Sequence, residues 1–475
     1  RNPSRELSSP LLDAIAPFLG VFSSPIAHDD LVRVLLRVGP RAAGGAPQSP
    51  ATLAVALDAF VGARVLERVG RDQYRCAPLH AGRLMARLRT QGTMEALLRD
   101  GFVPELPLHP MRGRPQLTDA ALGARALLYA RVALHAGLEP EFLDALAQYS
   151  RLAGGGVDVR AATASLLDDC DPDTTEEADP TWLMAVPFVT ARHVFAQRLR
   201  EHALQGESVD STLRVVGATP SENWGPDLAA ALALVMFLRG EMGKSVAMVE
   251  LSRSLFGLAT PEALAVRGLV KWWGDDDACW KAFEEALTAH RKATGVRDAG
   301  LPGELGLLHV IALLSTGDAA LIAQAHRFAK ASVDQSELGV AYGHLSACAD
   351  ALALVSGASA AQRWQPPSAP PRNAGGWLLL IAGLCTRWAG QRVPSSQHAA
   401  YVVHAELYKA AGSTWFADQL RGVLRAPGSH EVGVGGTLLD RVSTTTPWRD
   451  ALAALGRVVG RTSAHAAQKS GGPPV

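Results

Sequence analysis

Apolar residues recur along this chain mainly at helical spacing, and the runs are punctuated by Gly and by Ser-Pro or Thr-Pro pairs. That pattern predicts helices with very little sheet. It is sharpest from Pro226 to Val333, where three helix pairs follow one another, each an apolar helix, a Gly with a polar or small residue after it, and an amphipathic helix. The clearest runs from Thr260-Pro261-Glu262 through Ala263 to Trp273, turns at Gly274-Asp275, and returns as Ala278 to His290. Thr260 is placed to cap the first helix, Pro261 presets its first turn, and Glu262 suits the positive end of the helix dipole. Cys279, Phe283, Ala286, Leu287 and His290 share one face of the second helix. Small Gly268 and Ala286 leave room for Trp272, Trp273 and Phe283 to interlock between the two.

The turns at Gly240-Glu241, Gly274-Asp275 and Gly317-Asp318 are spaced by 34 and 43 residues. The clearest pair resembles a degenerate tetratricopeptide repeat with one residue missing at the turn; the first step equals that family's repeat length, and the second suits a pair with a longer loop at Asp298 to Gly303. Helix pairs of this kind cannot bury their apolar faces alone and stack. The expectation is a mostly all-α chain in which about Ala120 to Val459 form a right-handed, tetratricopeptide-like superhelical array with a concave surface for protein partners. An irregular α bundle is the other arrangement the pattern allows.

Residues 1–101 have the rhythm of a winged-helix domain. Ser9-Pro10 and Ser24-Pro25 each look like a cap and an early helical proline, opening helices at Leu11 to Leu19 and Ile26 to Arg37. Ser49-Pro50 starts a third helix, Ala51 to Val61; Val65 to Val69 with Gln73 to Ala77 read as a hairpin turning at Gly70-Arg71-Asp72; Leu79 to Leu98 close the domain. Four prolines make 102–117 an extended linker. Helices are then expected at Ala120 to Ala136, Pro140 to Leu152 and Trp182 to Leu204, and, after the central pairs, at Ser336 to Val355. The array proper covers 118–363, a second Pro-rich linker 364–376, and further pairs 377–460, with helices at Trp377 to Ala389, His398 to Ala411, Trp415 to Leu424 and Trp448 to Val459. A Gly- and Pro-containing flexible tail, 461–475, ends the chain. With Arg1 in place of Met, the whole reads as a piece of a longer protein.

At 475 residues and 48 % hydrophobic content the chain can build a large core, and 6 % aromatic content again favours helix over sheet. The formal net charge is zero, so the chain as a whole advertises neither a nucleic acid nor a membrane. Locally the balance shifts: residues 1–116 hold 15 Arg against 10 Asp plus Glu, while 158–179 are strongly acidic and read as a solvated loop. The five cysteines are scattered without metal-site spacing, which fits a cytoplasmic location and ordinary buried thiols. The longest apolar runs, Leu228 to Leu238 and Trp377 to Cys385, are short of the ~20 residues a membrane span needs.

No catalytic constellation emerges. Gly240 to Ser245 imitates a phosphate-binding loop, but with two residues between its glycines it is too short to cradle a phosphate. Leu166-Leu167-Asp168-Asp169 sits in the acidic loop, the histidines lack metal-site spacing, and no serine has a nucleophile-elbow context. His290, His309 and His326 fall within helical patterns and read as core or groove histidines. Catalytic, metal and cofactor-binding residues are therefore expected to be none, and this chain alone is expected neither to bind nor to hydrolyse ATP. One local argument for a ligand remains. The third helix of the first domain is apolar apart from Thr52 and Asp58, which disfavours base readout, while Arg64, Arg68, Arg71 and Arg75 cluster around the hairpin where they can reach phosphates of duplex DNA.

Together with the winged-helix start, Leu79-His80-Ala81-Gly82-Arg83, Met94-Glu95-Ala96-Leu97-Leu98-Arg99, Gly306-Leu307-Leu308-His309 and Pro447-Trp448-Arg449-Asp450-Ala451-Leu452 resemble the N-terminal accessory region of bacterial Swi/Snf-type helicase-like ATPases. The resemblance implies a non-catalytic region beside a DNA-translocating motor, giving protein contacts and weak, non-specific DNA contacts. None of the motor's own motifs is present, so no catalytic residue carries over. A sensor region of a signalling or transcription regulator, and a scaffold without nucleic acid, are the rival classes.

Overall fold

A computed structural model describes residues 9–41, 45–108, 118–152, 183, 185–257, 260–297, 299–333, 338–355, 375–388, 392–425 and 437–439. The described residues are mostly helical with one small sheet, and the chain forms two compact units, Arg1–Arg198 with Arg214–Trp224, and Leu199–Leu213 with Gly225–Val475.

The first unit opens with α1 (Ser9–Leu19), β1 (Ile26–Ala27), α2 (His28–Val38), α3 (Pro50–Gly62), β2 (Leu66–Arg68), β3 (Gln73–Cys76) and α4 (Pro78–Thr90). Ser49 caps α3, its Oγ accepting from Thr52 N at 3.0 Å, and Leu53, Ala56, Leu57 and Phe60 form the buried stripe beneath. The sheet order is β1-β3-β2, with Ile26 opposite Tyr74 and Leu66 opposite Cys76, all antiparallel. The sequence pattern reads Ile26 as the start of a helix; instead Ile26 and Ala27 pair with the hairpin, and α2 begins at His28, where Asp29 and Asp30 face the helix dipole.

The closing helix also differs from expectation. It stops at Thr90, and after a turn at Gln91-Gly92 the chain continues as α5 (Met94–Ala96), a π-helical stretch Leu97–Phe102 and α6 (Val103–Glu105). Phe102 and Leu106, placed by the proline pattern in an extended linker, are fully buried, and Phe102 lies 5.9 Å from Phe22 and 5.5 Å from Tyr129 between ring centroids. Their apolar side chains outweigh the proline signal. There follow α7 (Asp119–Ala136), capped by Thr118, then α8 (Glu139–Leu152), α9 (Phe188–Gln205) and α10 (Asp210–Gly217).

The second unit holds the pairs α11 (Gly225–Leu238) with α12 (Met242–Phe256), α13 (Pro261–Trp273) with α14 (Cys279–Thr294), and α15 (Gly303–Ser315) with α16 (Ala319–Ser332). Gly240 and Gly317 take the left-handed backbone (φ 79° and 69°) that lets each first helix turn straight into its second. In the middle pair Asp275 does so instead, at φ 57°. Thr260 caps α13 as expected, accepting from Ala263 N at 3.1 Å. A Cβ on Gly268 would come 2.7 Å from the ring of Phe283, so only glycine admits that ring. Then come α17 (Gly339–Val355), α18 (Gly376–Trp388) and the pair α19 (Ser395–Ala410) with α20 (Thr414–Leu424). The expected helix Trp448 to Val459 and the acidic loop lie outside the described residues.

Burial alternates within the pairs. On α15 every residue from Glu304 to Ser315 is buried, whereas α12 buries Ser245, Val249 and Ser252, and α19 only Tyr401, Ala405 and Tyr408. The buried helices touch in sequence, α11 to α13, α15, α17, α18 and α20, and α20 returns to α11. Trp415 of α20 sits 4.7 Å from Phe237 and 5.3 Å from Trp273, and Thr414 Oγ1 donates to Arg239 O at 2.6 Å. The second unit therefore closes its chain of buried helices into a circuit.

Candidate nucleic-acid interface

The four arginines nominated around the hairpin are set by α3, its exit turn and the β2–β3 register. Glu67 lies opposite Arg75 and Arg68 opposite Tyr74. Because neighbouring strand residues face opposite sides, Arg68 and Arg75 project from different faces of the sheet. Arg75 is engaged on its own face, its Nε and Nη2 each 2.7 Å from Glu67 Oε2. Arg68 donates from Nη2 to Tyr74 Oη at 2.8 Å, lies 5.4 Å above that ring, and approaches Asp58 at 3.8 Å. The hydrogen bond to Tyr74 holds the Arg68 guanidinium above its ordinary pKa.

Arg64 and Arg71 are exposed, with no carboxylate within ion-pair distance among the described residues. Arg71 stands at the hairpin tip. Arg64 occupies the turn after α3 with φ 59°, while Val65 N closes the turn onto Phe60 O at 2.9 Å. A left-handed backbone costs an L-residue about 1 kcal/mol, and strain of this kind clusters where a side chain has work to do. The four-residue set thus resolves into two cations without an ion pair among the described residues and two that are already paired, Arg68 among them although it is exposed.

Between α2, α3 and the hairpin lies a depression of about 610 Å³, lined by Ala27, His28, Asp29, Ala54, Asp58, Arg68, Arg71, Asp72 and Tyr74. Three carboxylates there face two guanidiniums, so the depression repels a phosphate more than it attracts one. Asp58 is the polar group on the outward face of α3, and its charge works against an approaching DNA backbone. Asp29 and Tyr74 were not singled out by the sequence pattern, because the two-residue strand that brings α2 beside the hairpin is too short to show alternation.

The phosphate-loop lookalike is used structurally. Ser245 Oγ donates to Ala233 O at 2.7 Å, and Lys244 Nζ pairs with Glu241 at 2.6 Å. His309 is buried between the rings of Phe283 (4.5 Å) and Phe328 (5.8 Å), and burial pushes its pKa down to about 3. Its Nδ1 has no hydrogen-bond partner among the described residues. His290 and His326 are half-buried, and Leu166 to Asp169 lie outside the described residues. Among the described residues no helix is long and apolar enough to cross a membrane. No protein-family model, no curated protein and no solved structure matches the chain.

Proposed function

We propose that the chain is a non-catalytic interaction region, a winged-helix module followed by tetratricopeptide-like helix pairs, serving a DNA-dependent, helicase-like ATPase. The observation that carries the reading is the order helix, strand, helix, helix, strand, strand with sheet order β1-β3-β2, which supports a winged-helix reading. The short-turned pairs of the second unit support the repeat reading, and the ATPase context rests on the resemblance of the segments quoted above. Because α11 and α15 are buried around most of their circumference, surface for protein partners falls to the second helices of the pairs.

Duplex DNA contact, on this reading, is weak and sequence-independent and runs through Arg64 and Arg71. Each phosphate neutralised contributes a slope of about −0.9 in log K against log salt, so two contacts give roughly −2, with affinity no better than ~10⁻⁴ to 10⁻⁶ M. Fluorescence anisotropy with two unrelated duplexes across a salt series tests this. Arg64→Ala with Arg71→Ala should remove the slope, while Arg75→Ala should leave it nearly unchanged. Absence of binding at low salt would sink the DNA contact. A second reading then takes over, favoured by Asp29, Asp58 and Asp72 in the depression: the module serves protein contact alone.

A further inference from the structure

The second unit packs a thiol of one helix against the helical turn of another that carries a second thiol. Cys348 on α17 and Cys385 on α18 are 4 % and 0 % exposed, and the neighbouring Cys348 together with burial pushes the Cys385 thiol up. An independent contact fixes the arrangement: Cys385 Sγ donates to the carbonyl of His344, one helical turn before Cys348, at 3.7 Å. This places the Cys385 sulfur against the turn of α17 that carries Cys348. The two cysteines flank residues 356–374, so they are close in space while well separated along the chain.

We propose that Cys348 and Cys385 are a redox pair that closes to a disulfide under peroxide, fastening α17 to α18. The Cys348 thiolate attacks one peroxide oxygen; the O–O bond breaks, the sulfur becomes a sulfenic acid, and the departing hydroxide takes a proton to become water. The Cys385 sulfur then attacks the sulfenyl sulfur, forming the S–S bond and expelling the sulfenic hydroxyl, which leaves as a second water with the Cys385 proton. Two thiols lose two electrons and the peroxide gains them. Cys348 acts first because it is the less buried; the Cys385 thiol, beside Cys348 and enclosed, is held well above the ordinary thiol pKa and suits the resolving role. Slow formation follows from the burial of both.

The test is treatment of the folded chain with hydrogen peroxide, thiol titration in denaturant, and peptide mapping without reduction. The expected result is loss of two of the five thiols, a linked peptide pair holding Cys348 and Cys385, and full reversal by a dithiol. Cys348→Ser and Cys385→Ser should each abolish the linked pair; Cys348→Ala stands in if a buried hydroxyl prevents folding. If both thiols stay titratable while others oxidise, or if the linkage joins either of them to Cys76, Cys170 or Cys279, the proposal is overturned.

Discussion

His309 shows how one buried side chain sets a pH limit. The unfolded chain takes a proton on this imidazole near pH 6.5, whereas the folded chain resists until about pH 3. Between those values the unfolded state binds more protons, so the stability His309 permits is complete above pH 6.5 and is lost as pH falls. At pH 4.5 the loss from this group is about 2–3 kcal/mol. Urea unfolding of wild type and His309→Phe at pH 7 and pH 4.5 checks this: the variant should lose about that much less. Equal losses would show that the imidazole titrates freely in the fold. His135, buried in the first unit and pushed down to about 3 by burial and the nearby Arg89 and Arg131, acts in the same direction.

Helix starts are where single elements are tied together. Arg200 of α9 is buried and bonds both carboxylate oxygens of Glu262, at 2.9 and 2.5 Å, and reaches Asp227 at 2.5 Å. These acids open α13 and α11, so one guanidinium joins two helix N-termini. Burial opposes its charge, but Asp227 and Glu262 hold its pKa well above the ordinary value. Arg200→Met should cost about 3–5 kcal/mol by stranding Glu262, and Arg200→Met with Glu262→Leu should recover most of it. Thermal melts of wild type and the two variants decide, and an Arg200→Met variant as stable as wild type would sink the idea. Signals of this kind are legible in sequence only in part. Thr260-Pro261-Glu262 announced the start of α13 because a cap is local chemistry. That Glu262 turns toward Arg200 was not legible, since nothing in its neighbourhood names a partner on α9. Likewise α10 escaped notice, and β1 passed for helix, because elements so short carry too little period to read.

For the second unit as a whole, the pairs were legible and their closure was not. Spacing of apolar residues and turn glycines specifies which helices pair, but Trp415 meeting Phe237 and Trp273 is a long-range fact with no sequence period behind it. The same limit applies to the candidate interface: four arginines were visible, while the strand register that pairs Arg75 with Glu67 was not. Trp415→Ala should cost about 3–5 kcal/mol and should raise amide exchange in α11, two helix pairs and more away along the chain. Hydrogen-exchange mass spectrometry reads this directly. A rise confined to α19 and α20 would mean that the contact with α11 carries little energy.

The return of α20 to α11 also bears on how the protein is made. A linear stack can bury each helix as soon as its neighbour leaves the ribosome. Here α11, apolar on nearly every face, waits for a partner encoded much later, and at 5–20 residues per second that interval is on the order of 10–35 s. During it the α11 surface that α20 will cover is open to other chains, so synthesis on crowded polysomes is the stage at which this protein most needs a chaperone.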